Sequence, residues 1–376
     1  MTEGTDGKPG TMISRVLAMI GGDGEDSYAR NSSFQQEVIS SADAVLATGI
    51  EQLTLPAPNT GPLVISDLGC SSGPNTVNIV SRLVKMLKSE YQRRGRDDYE
   101  FQAYFNDLPS TDFNFLFELL SSERREFFYA GVPGSFYERI FPKSSVNVFL
   151  STNTLHWISQ APREVTDENS AAYNKGRIWL HGANEHVIDA YKRQGENDMR
   201  NFLDAKVQEL VPGGLLYCIF GSARIENGDT REQYLAPFSE DETSTNVSFG
   251  RILEHVWDEL IAEGLLTEEQ RARCNLPWYK LSEEELRDIL KSYEDVFKIV
   301  LLQNMEQPVC RTRDQQELDD LMRMARSIYA PFFNSFIGAE SSAILFARWG
   351  ERFGERIQNR TVSPSYCSHV LALLRL

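Results

Sequence analysis

Two acidic residues stand at the ends of short apolar runs, and they offer the clearest chemistry in the sequence. Asp67 follows the run at 63–66 and opens a turn of the form DxGxxxG that closes at Gly73. Asp107 follows the run at 101–105. An acid at the first strand tip would repel the diphosphate that glycine turns of dinucleotide sites bind. It suits a cationic ligand or hydroxyl donors instead, and an acid at the second tip commonly accepts hydrogen bonds from ribose.

S-adenosylmethionine carries both kinds of group, a sulfonium and an amino group beside ribose hydroxyls. Each acid alone has a plainer interpretation, because an Asp at a strand end is more often a turn or a helix cap. Asp107, followed by Leu108 and Pro109, is equally compatible with an Asx-type turn. The two acids in this order on successive strands favour the cofactor interpretation.

The elements that must position these acids alternate between strand and helix. Pro74 stands at a first helical position, where its missing N–H costs nothing, and apolar residues follow it at helical spacing. Further buried strands are predicted at 101–105, 127–130, 146–151, 215–220 and 296–302. Strands separated by amphipathic helices predict an α/β fold with a Rossmann-like, largely parallel sheet.

The same pattern suggests how the chain is divided. We predict a flexible tail at 1–13 and a Rossmann-like core formed by 14–225 and 296–376. Residues 226–295 begin with a polar, acidic stretch to 247 and continue as amphipathic helices. Their place between two predicted strands indicates a mainly helical cap inserted into the core.

Composition narrows the class of protein. The chain has 376 residues, 41% of them apolar, and a net charge of −16, which disfavours nucleic-acid and anionic-membrane partners. No apolar run reaches the roughly 18 residues of a membrane helix, and the N-terminus lacks the apolar core of a signal peptide. The five cysteines are scattered without CxxC spacing, so we expect a cytoplasmic protein with reduced thiols.

The sequence resembles the SABATH methyltransferases, the plant enzymes that act on salicylate, benzoate, jasmonate, indoleacetate and caffeine precursors. The matching segments occur in family order at 19–32, 67–75, 105–109, 131–137 and 155–159. Weaker similarity spans nearly the whole chain from Val16 onward. The resemblance implies a class I methyltransferase sheet with a helical cap, a small-molecule carboxylic acid as substrate, and a homodimer.

The family's ligand contacts carry over by position. Its S-adenosylmethionine contacts fall on Tyr28, Ser32, Asp67, Cys70, Asn75, Asp107, Leu108, Ser135 and Phe136; the last two are expected to bracket the adenine. The donors to the substrate carboxylate fall on Gln35 and Trp157, with His156 beside them. Without the resemblance, Trp157 and His156 would be taken as structural residues. An indole N–H can only donate, which suits a carboxylate and excludes a role as base.

The resemblance also implies a mechanism. A carboxylic acid with a pKa of about 4 is already ionised at neutral pH, so methyl transfer to it needs no general base. Positioning and exclusion of water remain for the protein to supply. We therefore expect no acid–base residue.

Departures from the family pattern concern the substrate. Ile20 and Asn153 replace a Lys and a Tyr that many relatives carry, and the bulky Trp of salicylate-type enzymes falls on Gly250. A glycine there predicts room for a larger ring system, such as indoleacetate, cinnamate or a terpenoid acid. The rest of the apolar wall is expected from Phe220, Tyr279 and Ile328.

A metal and other activities stay open at this stage. Some relatives bind magnesium near the carboxylate, and Asn174 and Asn275 match that pattern, whereas Ala272 and Cys274 do not. A tight magnesium site is therefore not expected. The alternatives are N-methylation of a purine alkaloid, another acceptor such as a thiol, and a relative that binds the cofactor or a hormone without turnover.

Overall fold

The computed structural model describes residues 18–97, 99–223, 245–312, 314–358 and 365–376. The side chains of 245–249 and 357–358 are outside this description. The predicted tail at 1–13 and most of the predicted polar stretch, residues 226–244, lie outside the described residues.

Within the described residues the strands form one seven-stranded sheet in the order β3-β2-β1-β4-β5-β7-β6. The strands are β1 (Leu63–Leu68), β2 (Phe101–Asp107), β3 (Phe128–Pro133), β4 (Val146–Thr152), β5 (Leu210–Gly221), β6 (Phe297–Pro308) and β7 (Ser365–Arg375). Strands β1 to β5 pair in parallel, and β7 pairs antiparallel to both β5 and β6. The predicted Rossmann-like sheet is confirmed, and every predicted strand is present in it.

Strand β7 was not predicted. Its central run Val370–Leu373 is almost fully buried, and it is rich in Leu and Ala, which favour helix when nothing else decides. A short continuous apolar run does not distinguish a buried strand from a buried helix. Pairing with a strand on each side therefore imposes the extended conformation.

The helices are α1 (Ser33–Ser41), α2 (Asp43–Gln52), α3 (Pro74–Arg93), α4 (Phe113–Ser121), α5 (Glu185–Glu209), α6 (Thr245–Ala262), α7 (Glu268–Arg273), α8 (Glu283–Lys291) and α9 (Gln315–Gln358). Helix α3 begins with Pro74 as predicted and buries its apolar face in the core. Helix α9 consists of two helical segments joined at Gly338, whose φ of 78° breaks the helix. This left-handed conformation favours glycine.

The helices of the predicted cap at 226–295 join two different hydrophobic clusters. Helix α6 shares a hydrophobic cluster with α9, in which Trp257 packs against Phe333. Helix α9 follows β6 and so falls within 296–376, which was predicted as core. Helix α8, in the predicted cap, instead contributes to the cluster under the sheet that contains α5. An amphipathic pattern shows that one helix face is apolar but not which partner covers it.

Two further observations concern membrane-spanning helices and the cysteine side chains. No helix among the described residues is long and apolar enough to cross a membrane. The five cysteines form no disulfide, and all but Cys367 are buried.

Candidate active site

One cavity of about 680 Å³ lies where the carboxyl ends of the parallel strands meet the cap. This is the edge at which open α/β sheets bind their ligands. The segments after β1, β2, β3 and β4 form one wall, and residues from α6, α9 and the 278 region form the other. The predicted site residues that line the cavity are Tyr28, Gln35, Asp107, Leu108, Ser135, Phe136, His156, Trp157, Gly250 and Ile328.

Asp67 lies at the end of β1, just behind this wall and two residues before the cavity-lining Gly69. One carboxylate oxygen accepts a hydrogen bond from the Thr76 hydroxyl at 2.5 Å. The other, Oδ1, is buried and has no hydrogen-bond partner among the described residues. Burial, with the neighbouring Asp107 charge, raises the pKa of Asp67 to about 7. A buried acceptor without a hydrogen-bond partner lowers the stability of the protein, so this oxygen is suited to a ligand that donates a hydrogen bond to it.

Asp107 orders a turn and also lines the cavity. It accepts hydrogen bonds from the backbone N–H groups of Ser71 at 2.6 Å and Leu108 at 2.7 Å, and from the Thr111 hydroxyl at 2.7 Å. Burial raises the pKa of Asp107. Each carboxylate oxygen accepts more than one hydrogen bond, so capacity for ligand hydroxyls remains.

Besides Asp67, three predicted cofactor residues lie behind the cavity wall rather than on it: Ser32, Cys70 and Asn75. The Asn75 amide donates to the backbone carbonyl and the hydroxyl of Ser32, both at 3.0 Å. Cys70 is buried in the core cluster, and burial raises the pKa of its thiol. The Asn75–Ser32 bonds tie the segment before α1 to the start of α3, which places Tyr28 on the cavity wall.

His156 and Trp157 follow β4 and line the cavity together with Gln35 of α1. The Nδ1 of His156 accepts a hydrogen bond from the Gly221 N–H at 3.1 Å. Burial, with the charge of Lys280, lowers the pKa of His156 to about 3, so the imidazole is neutral and its proton resides on Nε2. His156 therefore offers an N–H donor and no base through Nδ1.

Asn153 belongs to the site, although the sequence drew attention to it only as a departure from a family pattern. Its backbone adopts a φ of 61°, a conformation that Asn tolerates better than most residues. Its N–H donates to the Ile219 carbonyl at 2.7 Å. The side-chain Nδ2 is buried without a partner among the described residues, and Asn153 lines the cavity.

The substrate half of the cavity is walled by aromatic rings. Four of the five tryptophans line it, together with Tyr329: Trp157, Trp179, Trp278 and Trp349. Ring centroids are 5.0 Å apart for Trp157 and Trp278 and 5.6 Å apart for Trp278 and Tyr329, within the range of favourable aromatic pairs. Trp179, Trp278 and Trp349 were not predicted as site residues, since isolated aromatics carry no motif.

The prediction that Phe220 and Tyr279 line the wall is wrong. Phe220 is buried against His369, and the Tyr279 hydroxyl donates to Glu285 at 3.0 Å. Residue 278 forms an antiparallel bridge with Trp157. Successive side chains of an extended segment point to opposite sides, so Trp278 faces the cavity and Tyr279 faces away.

The predicted space beside Gly250 is also filled. A Cβ built on Gly250 would lie 3.0 Å from the indole of Trp179. Residue 250 lines the cavity, but the Trp179 indole occupies the volume that its missing side chain leaves. Spacing along the chain gave no sign of this long-range contact.

Asn174 and Asn275, which match the family's magnesium pattern, lie next to each other. The Asn174 amide donates to the Asn275 oxygen at 2.9 Å, and the Oδ1 of Asn174 is buried without a hydrogen-bond partner among the described residues. Neither residue lines the cavity. In the described part of the chain, no group of three or more His, Cys, Asp or Glu side chains is placed to hold a metal.

Strand order, acids at two adjacent strand tips and a capped cavity at the carboxyl edge together define a class I methyltransferase. Residues 14–375 match the family described as SAM dependent carboxyl methyltransferase. The chain belongs to this family of S-adenosylmethionine-dependent enzymes.

Individual relatives agree with this assignment. The chain is 34% identical to indole-3-acetate O-methyltransferase 1 of Arabidopsis thaliana, with 96% of each chain covered. It is 33% identical to gibberellic acid methyltransferase 2 of the same plant, covering 97% of this chain and 96% of the relative. The solved structure of loganic acid methyltransferase with SAH superposes with a TM-score of 0.84 at 31% identity, covering 95% of this chain and 98% of that one.

Proposed function

We propose that the protein transfers a methyl group from S-adenosylmethionine to the carboxylate of a small apolar or aromatic acid, such as benzoate, salicylate, cinnamate or indoleacetate, and releases the methyl ester. The observation that carries the proposal is a single cavity with two unlike halves. Asp107 borders one half, with Asp67 just behind it, and neutral N–H donors with an aromatic wall border the other. Donor and acceptor can therefore meet in one enclosed space.

The strand-tip half fits the cofactor. When bound, S-adenosylmethionine supplies a methyl group activated on a sulfonium. Asp67 offers its orphaned Oδ1 to a cationic or hydroxyl donor, and Asp107 offers remaining acceptor capacity. The residues proposed to hold the cofactor are those of the family resemblance: Tyr28, Ser32, Asp67, Cys70, Asn75, Asp107, Leu108, Ser135 and Phe136. Ser32, Cys70 and Asn75 act from behind the wall by shaping the two loops.

The other half fits a carboxylate. Gln35 and the Trp157 indole are proposed to hold one carboxylate oxygen, so that the second points at the methyl group. The Nε2–H of His156 and the Nδ2 of Asn153 add neutral donors on the same wall. Neutral donors orient the anion without pairing it with a full positive charge, which preserves its nucleophilicity.

The cap supplies the remaining contribution. The aromatic wall from α9 and the 278 region excludes water from the carboxylate, and fixed N–H dipoles take its place. Alignment of two bound reactants within one cavity is worth several kcal/mol of the barrier. No general base is required, since the acid arrives ionised.

A labelled-methyl transfer assay with purified protein and a panel of small acids tests this function. We expect a product that mild base hydrolyses, as an ester does. A base-stable product from a xanthine would favour the purine alternative. Binding of S-adenosylhomocysteine by calorimetry without transfer to any acid would indicate the non-catalytic alternative.

The family resemblance also supports three broader proposals: a cytoplasmic location, a role in plant specialised metabolism and a homodimer. The acidic net charge of −16 and the scattered free cysteines agree with the first. Size-exclusion chromatography with light scattering tests the third, and a mass of one chain would contradict it.

A further inference from the structure

The cap end of the cavity is closed by one indole that no motif assigns. Resting on the proposed function, we infer that Trp179 sets how long an acid the cavity accepts, and that Gly250 is the seat in which its indole is held. Trp179 is 7% exposed and lines the cavity from the side of α6.

The seat is formed by the absence of a side chain. A Cβ on residue 250 would meet Cδ1 and Cγ of Trp179 at 3.0 Å and Nε1 at 3.1 Å. Contacts this short force the neighbour to shift. Only glycine therefore lets helix α6 pass directly across the indole without displacing it.

The indole is also held through its polar edge. Its N–H donates to Nδ1 of His181, and the two rings stack at 5.9 Å with an interplanar angle of 25°. Burial, with the charge of Lys280, lowers the pKa of His181 to about 3, so this acceptor stays neutral at physiological pH. A bond that fixes both the position and the rotation of the indole makes it a rigid end wall.

The backbone beneath the indole is pinned to α6. Glu254 of α6 pairs with Arg177 at 3.0 Å. Arg177 also donates to the His181 carbonyl at 3.1 Å, and the Leu276 N–H donates to the Ile178 carbonyl at 3.1 Å. These bonds hold the segment 177–181 against α6 and the 276 region.

A row of three indoles gives the wall its position relative to the substrate. Trp179 lies 5.7 Å from Trp278, and Trp278 lies 5.0 Å from Trp157, measured between ring centroids. Trp157 is the proposed carboxylate donor, so a flat acid bound there extends along Trp278. An acid that extends beyond Trp278 would meet Trp179.

Replacing the indole tests the inference. We expect Trp179→Ala to raise kcat/KM for biphenyl-4-carboxylate relative to benzoate by about tenfold or more, since a cleared apolar pocket favours the larger ligand by this order. Trp257→Phe is the matched control, because Trp257 is buried in the same cap cluster but does not line the cavity. We expect this control to leave the ratio unchanged. An equal change for both acids in Trp179→Ala would overturn the inference.

Substitution of Gly250 gives a second, independent test, which can be carried out even if Trp179→Ala does not fold. Gly250→Ala should push the indole into the cavity and lower kcat/KM more for biphenyl-4-carboxylate than for benzoate. Combined with Trp179→Phe or Trp179→Ala, the same change should have a much smaller effect. If the effect of Gly250→Ala does not depend on residue 179, the seat does not exist.

The outcomes separate this inference from the function on which it rests. If the unaltered protein methylates neither acid nor any other acid, the proposed function fails. If it methylates acids but the ratio is the same in all Trp179 and Gly250 variants, only the assignment of Trp179 fails.

Discussion

The two halves of the cavity are built in different ways. The cofactor half consists of strand tips and the turns that follow them, and some of its hydrogen bonds are local, such as those that Asp107 accepts from Leu108 and Thr111. The substrate half is assembled from Trp157, Trp179, Gly250, Trp278 and Tyr329, which come from separate parts of the chain. A short motif can encode the first half, whereas only the packed fold creates the second.

The comparison is tested by substitutions that should impair one half of the cavity and leave ligand binding in the other half unchanged. Asp67→Asn keeps the shape of the side chain but removes its charge and presents an amide where a ligand donor is expected. We expect S-adenosylhomocysteine to bind about 10- to 100-fold more weakly, the range for a lost hydrogen bond to a charged group. Isothermal titration calorimetry measures this directly.

Asp43→Asn is the matched control for that variant. Asp43 also has one buried carboxylate oxygen without a partner among the described residues, and it pairs with Arg82 away from the cavity. Its substitution should leave cofactor affinity unchanged. Equal weakening in both variants would show that a general loss of stability, rather than a lost ligand contact, is being measured.

The reciprocal change is made in the substrate half. Trp157→Phe retains an aromatic ring beside Trp278 but removes the indole N–H, so kcat/KM for the acid should fall by about 10-fold or more. Gln35→Leu should act in the same direction. Affinity for S-adenosylhomocysteine should stay within about twofold of the unaltered protein, and its loss in both variants would refute the assigned role.

A change in pH should have a smaller effect, and this effect should be on the affinity for the cofactor alone. The pKa of Asp67 in the ligand-free protein is about 7, and a cationic ligand prefers the ionised form. Affinity should therefore rise with pH up to about 7 and then level off, with protons released on binding below that pH. Each pH unit below 7 should weaken binding by up to tenfold.

Calorimetry at pH 6, 7 and 8 in two buffers of different ionisation enthalpy measures both the affinity and the released protons. Asp67→Asn should remove the pH dependence. If affinity does not vary with pH in the unaltered protein, Asp67 does not titrate in this range or does not contact the ligand.

The smallest effect is expected from magnesium. Because neither Asn174 nor Asn275 lines the cavity, EDTA or added magnesium should change kcat/KM by less than about twofold. Activity that is lost on chelation and restored by magnesium would place a metal in the substrate half and would contradict this assignment.

The difference between the halves also explains what the sequence could predict. Strands β1 to β6 and the acids at 67 and 107 follow from local pattern and turn chemistry, and the structure contains them. Trp278 and Tyr279 show the limit: the residues are adjacent, and only a bridge to Trp157 decides which of them faces the cavity. Gly250 is a second example of this limit, because an absent side chain indicates space but does not show which residue fills that space.

The packing of the cap also depends on contacts between distant parts of the chain, which the sequence does not show. Helix α9 has an apolar face that suits either core or cap, and its packing against α6 depends on segments on either side of β6. Asn153 was noticed because it departs from a pattern. Its buried, unpartnered amide emerged only from the three-dimensional surroundings.

The place of β7 has a consequence for synthesis on the ribosome. In the described part of the chain, β6 pairs with no strand other than β7, and β7 in turn pairs with β5. Strand β6 therefore leaves the exit tunnel before its only neighbour exists and must wait while the intervening helix is translated. During that interval the growing sheet ends at β5, and the exposed edge of β5 is a place where a chaperone would bind.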